Sequence, residues 1–319
     1  MVRCSMEWSR ADLPAWGTAA RANFYVCLEI PGPWGPKAIT DARLLDPVVG
    51  AELDAAVQAA GGRLVLIRHP ERRTIGSDPL AVLVSGGFAD GGWLRRYEVA
   101  DPREVLARIP EWSGATEAGA GVPEGPDGGA AMLVCSHAKR DQCCALAGRP
   151  ILAALTREVG PESIWEASHL GGHRFAPTML LLPTGQVLGR LNAVAAVSAF
   201  HAAAEHALWP GGPRKDRGRS HLPPQQQAAE AWALAQFGGR GEEPLPDTAG
   251  VTLAPVPAVG VSSELLGENT VRVKLGVWEA CVDVEKVTAD GEAPVSCGKE
   301  PEPLYYWRVQ PSVGDRAQI

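Results

Sequence analysis

The chain contains 319 residues, 45% of them hydrophobic and 21% charged, which is typical of a folded globular protein and excludes a disordered one. The formal net charge of −7 gives no general attraction to nucleic acid or to an anionic membrane. The first residues lack the apolar core of an export signal, and no run approaches the ~18 to 20 apolar residues of a membrane span. We therefore expect a cytoplasmic protein that binds neither nucleic acid nor membranes.

Residues 1–112 predict one strand, one helix, three further strands and a closing helix. The segments are FYVCLEI, LDPVVGAELDAAVQAA, RLVLIRH, LAVLVSG, WLRRYEV and DPREVLARI. In the last segment, Asp101 can cap the helix, Pro102 suits its first turn and Glu104 completes a capping box.

Two stretches rich in glycine, proline and polar residues interrupt the predicted elements. Residues 113–130, SGATEAGAGVPEGPDGGA, have no apolar periodicity and predict a flexible linker. Residues 210–224, PGGPRKDRGRSHLPP, have an excess of cations, which is typical of a solvated connector. The alternative is that these cations dock an acidic partner protein. They are Arg214, Lys215, Arg217 and Arg219.

Residues 131–212 predict a strand, a helix, three strands and a long helix. The segments are AMLVC, RPILAALTREV, SIWEAS, TMLLLP, QVLGRL and AVAAVSAFHAAAEHALW. Pro150 suits the first turn of the first helix. The order βα followed by βββα resembles the thioredoxin-like α/β fold. We therefore predict a thioredoxin-like domain at 131–212, preceded by a degenerate thioredoxin-like half at 1–112 with the same order.

Residues 213–319 predict a basic connector followed by a small α+β appendage. After the connector comes the helical pattern QQQAAEAWALAQF. The strand-like runs VRVKLGVWEACVDVEKV and LYYWRVQ follow it.

Seven cysteines are present, an odd number in a long chain without an export signal, so a disulfide framework is not expected. We predict that Cys27, Cys281 and Cys297 are buried thiols that pack as small hydrophobic side chains. A different account is needed for the three cysteines that lie close together in residues 135–144.

These cysteines belong to the run CSHAKRDQCC, and a histidine pair follows in HLGGH at 169–173. Two thiolates with two imidazoles suit zinc or an iron–sulfur cluster. Cys135 and Cys144 are nine positions apart, whereas the cysteines of a zinc knuckle are separated by about two to four residues, so this loop can enclose more than one ion. The paired glycines in HLGGH disfavour a helix, and with it the helical histidine clamp of zinc proteases.

Charged residues within the same loop would favour a metal centre. Lys139 and Arg140 favour thiolates and an anionic cluster, and Arg140 is a candidate for tuning such a cluster electrostatically. We also predict that Arg140 and Asp141 form an ion pair that holds the loop. His137 is expected to be solvated or hydrogen-bonded and not to be a ligand.

The run HLGGHRFAPTMLLLPTGQVLGRL resembles the second ligand loop of thioredoxin-like [2Fe–2S] ferredoxins, with histidines at the two cysteine positions. Together with CSHAKRDQCC, WEASHLGGHRFAPT and RGRS, it is similar to the sucrase/ferredoxin-like family over residues 20–225. The resemblance implies a [2Fe–2S] cluster held by two cysteines and two histidines, with Cys143 as the alternative to Cys144. The four implied ligands are Cys135, Cys144, His169 and His173.

The resemblance implies a one-electron carrier, which needs a redox partner protein and no substrate pocket. Imidazole ligands raise the reduction potential relative to thiolates, and their second nitrogen would make the potential pH-dependent. The alternatives are a zinc-stabilised binding protein that uses the same four residues and a thiol oxidoreductase that uses Cys143 and Cys144. Sucrose hydrolysis, which the family name suggests, needs two carboxylates that flank the bond, and the loops indicate no such pair.

Overall fold

The computed structural model describes residues 3–71, 79–117, 119–238 and 254–312. Within these residues, no helix is long and apolar enough to span a membrane. The α-helices are α1 (Cys4–Arg10), α2 (Ala38–Asp41), α3 (Pro47–Ala59), α4 (Ile109–Gly114), α5 (Gln142–Val159), α6 (Ala193–Ala204) and α7 (Pro224–Phe237). The strands are β1 (Tyr25–Glu29), β2 (Arg63–Arg68), β3 (Leu80–Gly86), β4 (Trp93–Val99), β5 (Ala131–Cys135), β6 (Ile164–Ala167), β7 (Thr178–Leu182), β8 (Gln186–Gly189), β9 (Ala207–Leu208), β10 (Asp216–Arg219), β11 (Val256–Pro257), β12 (Val261–Leu265), β13 (Thr270–Leu275), β14 (Trp278–Pro294) and β15 (Pro301–Pro311).

Nine strands form one continuous sheet in the order β10-β8-β7-β5-β6-β2-β1-β3-β4. In one half, β1 is parallel to β2 and antiparallel to β3, and β3 pairs antiparallel with β4. In the other half, β5, β6, β7 and β8 repeat these pairings in the same order. The halves meet where β2 pairs antiparallel with β6, with Ile67 opposite Ala167. The chain is therefore an α/β protein with the thioredoxin-like strand order, which confirms the predicted fold class.

Side chains alternate along the strands, so β1 places Val26 on one face of the sheet and Cys27 on the other. The first face packs against α3 in one half of the sheet and against α5 and α6 in the other half. The second face forms a hydrophobic core that both halves share. Cys135 belongs to this shared core, so β5 ends at a thiol that is buried between the two halves.

Helix α5 begins earlier than the sequence predicts and contains Pro150 in its interior. Asp141 is the N-cap, because its Oδ1 accepts a hydrogen bond from the amide of Cys143 at 2.9 Å. Since this cap starts the helix at once, the prediction that Pro150 occupies the first turn was wrong. Cys143 and Cys144 therefore lie in the first turn of a helix, where adjacent side chains point about 100° apart.

Within the segment predicted to be a flexible linker, residues 123–128 pass along the edge strand β4. The amide of Gly128 donates to the carbonyl of Leu94 at 3.0 Å, and the amide of Arg96 donates to the carbonyl of Pro126 at 3.1 Å. The last part of this segment therefore satisfies backbone groups at the edge of the nine-stranded sheet.

The C-terminal region forms a four-stranded antiparallel sheet, β12-β13-β14-β15, which packs against α7. Phe237 of α7 stacks on Trp278 with ring centroids 4.9 Å apart. The helix and these strands form the predicted α+β appendage. The turn between β14 and β15 contains Cys297, whose amide donates to Oδ2 of Asp141 at 2.9 Å. The appendage therefore contacts the first turn of α5.

The basic run at residues 214–219 is only partly solvated. Within it, β10 pairs with β8 at one edge of the nine-stranded sheet. Arg217 and Arg219 are 2% and 3% exposed, and Arg219 forms a two-point ion pair with Glu230. The prediction of a solvated connector was wrong for these two arginines because the fold supplies hydrogen-bond acceptors to both guanidinium groups, whereas Arg214 is exposed.

Candidate metal centre

Two buried thiols form one side of the candidate site. Cys135 ends β5 and Cys144 lies in the first turn of α5, and they are 1% and 0% exposed. A hydrogen bond from the Cys144 thiol, helped by His169, lowers the pKa of Cys135 although burial opposes this shift. The same hydrogen bond, together with burial, raises the pKa of Cys144. The pair therefore favours a thiolate at Cys135 and a thiol at Cys144.

The histidines His169 and His173 lie side by side, with ring centroids 5.2 Å apart. Nδ1 of His169 is 4.0 Å from Sγ of Cys144. The donor atoms of Cys135, Cys144 and His169 all lie within 4.8 Å of one another. His173 directs its Nδ1 to Oδ2 of Asp141, 3.2 Å away. The structure therefore brings three of the four predicted ligands to one point and places the fourth beside them.

Cys143 and Cys144 point to different places, as expected for neighbours on a helix. Sγ of Cys143 is 3.7 Å from Sγ of Cys4 and 3.2 Å from Sγ of Cys297. This geometry favours Cys144 over Cys143 as the partner of Cys135. Cys281 and Cys297 are both half-buried, and Cys297 contacts other thiols, so the prediction that these two are buried thiols was wrong. Cys27 is buried, as predicted. No local sequence pattern signals the contact of Cys297 with Cys143 because these two cysteines are 154 positions apart.

Two glycines allow the histidine loop to turn. Gly171 and Gly172 have φ angles of 89° and 70°, in the left-handed region that residues with a Cβ disfavour. The guanidinium of Arg217 also occupies the position that a Cβ on Gly172 would take. A 3₁₀ turn, His173–Phe175, follows the glycines. The histidines therefore lie on a loop, as the sequence predicts, and not on a helix.

Two arginines bind three consecutive carbonyl groups of this loop. Arg63 of β2 donates to the carbonyls of His169 at 2.8 Å and Leu170 at 3.0 Å. Arg217 of β10 donates to the carbonyl of Gly171 at 3.0 Å. Sequence reasoning missed both: Arg63 is 106 positions away from His169, and the surroundings of Arg217 predicted a solvated residue. The only signal for Arg217 was its place in the RGRS run.

Arg217 is a buried cation beneath the histidine loop. It also donates to Oγ1 of Thr18 at 3.1 Å and to the carbonyl of the same residue. Burial and the nearby cations Arg174 and Arg63 lower the pKa of Arg217 to about 9, so the guanidinium remains protonated at neutral pH. Its charge would therefore stabilise negative charge at the candidate site.

Two other residues of the 135–144 run, His137 and Asp141, have structural roles. Nε2 of His137 lies 2.7 Å from the carbonyl oxygen of Gly35, so this buried histidine is hydrogen-bonded, as expected. Asp141 does not pair with Arg140, and that prediction was wrong. The reason is that Asp141 points inward as the helix cap and accepts from the amide of Cys297, whereas Arg140 is exposed.

A cleft of about 830 Å³ opens beside His169. Residues of the first half of the sheet and of the 136–141 loop line it. The cations on its walls are Arg21, Lys37, Arg63 and Arg140. The candidate site therefore borders a basic cleft, and Arg140 lies on its wall as an exposed side chain.

Fold and site together define a class of protein: an α/β protein of thioredoxin-like topology in which cysteines and histidines lie close enough to hold a metal. The family model described as Sucrase/ferredoxin-like matches residues 15–206, more than half of the chain. The protein belongs to this family, which confirms the resemblance. No curated protein and no solved structure gives a significant match. The matched range contains all four predicted ligands, whereas Cys4 and Cys297 lie outside it.

Proposed function

We propose that this protein is a one-electron carrier and that Cys135, Cys144, His169 and His173 hold its [2Fe–2S] cluster. The observation that carries the proposal is the convergence of three donor atoms within 4.8 Å, with the His173 ring beside them. Two thiolates and two imidazoles form a ligand set that iron–sulfur clusters use. When bound, such a cluster supplies reversible one-electron oxidation and reduction, at a potential that imidazole ligands raise.

Asp141 fixes the orientation of His173 in this proposal. Its Oδ2 lies 3.2 Å from Nδ1 of His173, so Nδ1 donates to the carboxylate and Nε2 is the nitrogen left for a metal. Burial opposes ionisation of Asp141, but hydrogen bonds from the amides of Cys297 and Cys143 keep its pKa below the ordinary value. The carboxylate is therefore ionised at neutral pH and can accept a hydrogen bond from the Nδ1–H group of His173.

Arg63 and Arg217 support electron transfer in two ways. Their hydrogen bonds to the loop carbonyls keep the backbone of His169 and its neighbours in place. Their positive charges favour the reduced state of the site, which carries one more negative charge than the oxidised state. Both effects require a guanidinium group, because a neutral side chain would supply neither the fork of donors nor the charge.

The proposed redox partner is a protein with an acidic docking surface. His169 is part of the wall of the basic cleft, beside Arg21, Lys37 and Arg140. Complementary charge would increase the rate of encounter with such a partner and would orient it. An imidazole at the cleft wall then gives the electron a short path out of the site.

The test is the metal content and the spectra of the full-length protein purified without oxygen. The proposal predicts two irons and two acid-labile sulfides per chain, visible absorption in the oxidised protein and an EPR signal after one-electron reduction. A colourless protein without iron, after expression with ample iron, would contradict it. The variant Cys144→Ser should lose the absorption, whereas Cys143→Ser should keep it.

A zinc-stabilised binding protein is the second candidate. The observation that favours it is that the donor atoms of Cys135, Cys144 and His169 lie close enough together for a single ion. Zinc at these residues would give a colourless protein with no EPR signal after reduction. The same spectra therefore separate the two candidates.

A further inference from the structure

A second group of cysteines lies next to the candidate site and is made of other residues. We call Cys4, Cys143 and Cys297 the three-cysteine cluster. Its Sγ–Sγ distances are 3.7 Å for Cys4 and Cys143, 3.2 Å for Cys143 and Cys297, and 3.7 Å for Cys297 and Cys4. The carboxylate of Asp141 joins the cluster, and the four donor atoms all lie within 4.8 Å of one another. Cys4, Cys143 and Asp141 are 0%, 1% and 4% exposed, whereas Cys297 is half-buried, so three of the four donors are shielded from solvent.

The distances fit a single tetrahedral ion. Sulfur ligands at Zn–S bond lengths of ~2.3 Å lie about 3.8 Å apart on a tetrahedron. A disulfide would need a sulfur–sulfur distance of about 2.05 Å, far shorter than the 3.2 Å between Cys143 and Cys297. Thiolates are soft ligands, and a closed tetrahedral site with several of them is the usual environment of structural zinc.

Three distant parts of the chain assemble the cluster. They are α1, the first turn of α5 and the turn between β14 and β15. Asp141 links two of these parts, because Oδ1 accepts from the amide of Cys143 and Oδ2 accepts from the amide of Cys297, each at 2.9 Å. Helix α1 is held separately by Trp8, which packs edge-on against Phe175 with ring centroids 5.9 Å apart. Contacts other than the thiols therefore hold the donors in place.

We propose that Cys4, Cys143, Cys297 and Asp141 bind one zinc ion. Binding displaces the three thiol protons, which pass to solvent, and leaves three thiolates and one carboxylate on the metal. The ion fastens α1 and the β14–β15 turn to the first turn of α5, next to the histidine loop. The adjacent residues Cys143 and Cys144 thus serve different sites: Cys143 ties together distant parts of the chain, and Cys144 belongs to the candidate redox site.

This zinc site does not depend on the proposed iron–sulfur cluster. None of its four ligands belongs to the proposed cluster ligands, and Cys4 and Cys297 lie outside the range that the family model matches. His173 is the residue close to both groups, with Nδ1 3.5 Å from Sγ of Cys4 and 3.2 Å from Oδ2 of Asp141. Asp141 is a zinc ligand in one proposal and holds His173 in the other, but zinc and iron are measured separately, so the failure of one proposal can be distinguished from the failure of the other.

Metal analysis and zinc X-ray absorption spectroscopy of the full-length protein test the proposal. We expect one zinc per chain, whatever the iron content, with three sulfur ligands at ~2.3 Å and one oxygen ligand at ~2.0–2.2 Å. Zinc bound by two sulfurs and two nitrogens would assign the ion to Cys135 and its neighbours and would overturn the proposal. A protein without zinc, whether its thiols are free or Cys143 is disulfide-bonded to Cys297, would also overturn it.

A matched pair of variants tests the ligand assignment. Cys297→Ser changes a half-buried residue on a turn, and Cys281→Ser changes a half-buried cysteine of the same appendage outside the cluster. Zinc affinity should fall about 100-fold or more in Cys297→Ser, since loss of an outer partner of a ligand already costs about 10–100-fold. Cys281→Ser should keep wild-type affinity, and iron content should be unchanged in both. Equal zinc affinity in the two variants would show that Cys297 is not a ligand.

Discussion

Cys27 and Cys135 are both buried thiols on the first strand of their half of the nine-stranded sheet, but their acidities differ. Cys27 is 0% exposed, and burial alone raises its pKa. Cys135 is 1% exposed, yet the hydrogen bond from Cys144 and the neighbouring His169 lower its pKa. Because the two thiols are almost equally buried, the difference between their pKa shifts arises from the neighbouring side chains.

These neighbours come from the connections between strands and helices. After β5, residues 136–141 lead directly into α5, whose first turn supplies Cys144. After β6, the loop at residues 168–177 supplies the two histidines. In the other half, residues 30–46 between β1 and α3 contain α2 and neither cysteine nor histidine. Two halves with the same strand order therefore differ in chemistry because their loops differ.

The largest expected contrast comes from serine at these two cysteines. Cys135→Ser removes a proposed ligand, so the purified protein should lose essentially all its iron and visible absorption. Cys27→Ser buries a hydroxyl in the shared core and should cost about 1–3 kcal/mol of stability while iron stays at the wild-type level. Iron and absorbance per chain provide the measurement. Equal loss in both variants would mean that iron retention follows stability and not ligation.

A second contrast uses two glycines with the same φ angle of 70°, Gly172 and Gly212. A Cβ on Gly172 would overlap the guanidinium of Arg217, whereas Gly212 has no atom within 4 Å of that position. Gly212→Ala should cost about 1–2 kcal/mol from backbone strain alone. Gly172→Ala should cost about 1–3 kcal/mol more, because Arg217 must move. Denaturant unfolding measures both, and equal costs would mean that Arg217 does not constrain the loop.

The buried carboxyl of Asp216, on the edge strand β10, predicts a pH dependence of stability. Burial raises its pKa from 3.8 to about 7, so the folded chain keeps this proton at pH values where the unfolded chain has lost it. Stability should therefore fall as pH rises through this interval, by about 2 kcal/mol between about pH 5 and pH 7. Metal binding changes stability in the opposite direction, because it strengthens as pH rises. Unfolding at several pH values should show a weaker decline in Asp216→Asn, and an unchanged decline would contradict this assignment.

The smallest expected effect concerns two arginines that bind carbonyl groups. Arg63 holds the histidine loop, and Arg95 on β4 donates to the carbonyls of Pro123 and Leu94 far from the site. Arg63→Gln and Arg95→Gln should each cost about 1–2 kcal/mol of stability. Only Arg63→Gln should accelerate the loss of iron to a chelator and lower the midpoint potential. Identical iron-loss rates in the two variants would show that the hydrogen bonds of Arg63 to the histidine loop do not help to retain the iron.

Strands β1 to β8 of the nine-stranded sheet could be predicted because each is a short, mostly apolar run bounded by turn residues, whereas the polar edge strand β10 was predicted to be part of a connector. The predicted LAVLVSG and WLRRYEV coincide with β3 and β4. The capping box at Asp101 and Glu104 is also present, although the segment it begins is a 3₁₀ helix. The sequence pattern wrongly predicted that α5 begins at Pro150. Asp141 caps the helix nine residues earlier, so the proline lies in the helix interior despite the preference of proline for a first turn.

The resemblance of two short runs to the sucrase/ferredoxin-like family nominated the four candidate ligands, and such runs can be recognised because each lies within one loop. Contacts between residues that are far apart in the sequence could not be predicted, because no short run contains both partners. Arg63 binds a loop 106 positions away, and Cys4 meets Cys143 at a separation of 139 positions. Arg217 looked like a surface cation because its acceptors, the carbonyls of Thr18 and Gly171, come from other parts of the chain. Such groups become visible only once the fold brings the segments together.

The most direct test of the central claim is nitrogen hyperfine spectroscopy of the reduced protein. If Cys135, Cys144, His169 and His173 hold a [2Fe–2S] cluster, pulsed EPR will detect two strongly coupled imidazole nitrogens. The variant His173→Cys should retain an EPR signal with one such nitrogen. A reduced protein with no coupled nitrogen, or with no EPR signal at all, would contradict the account.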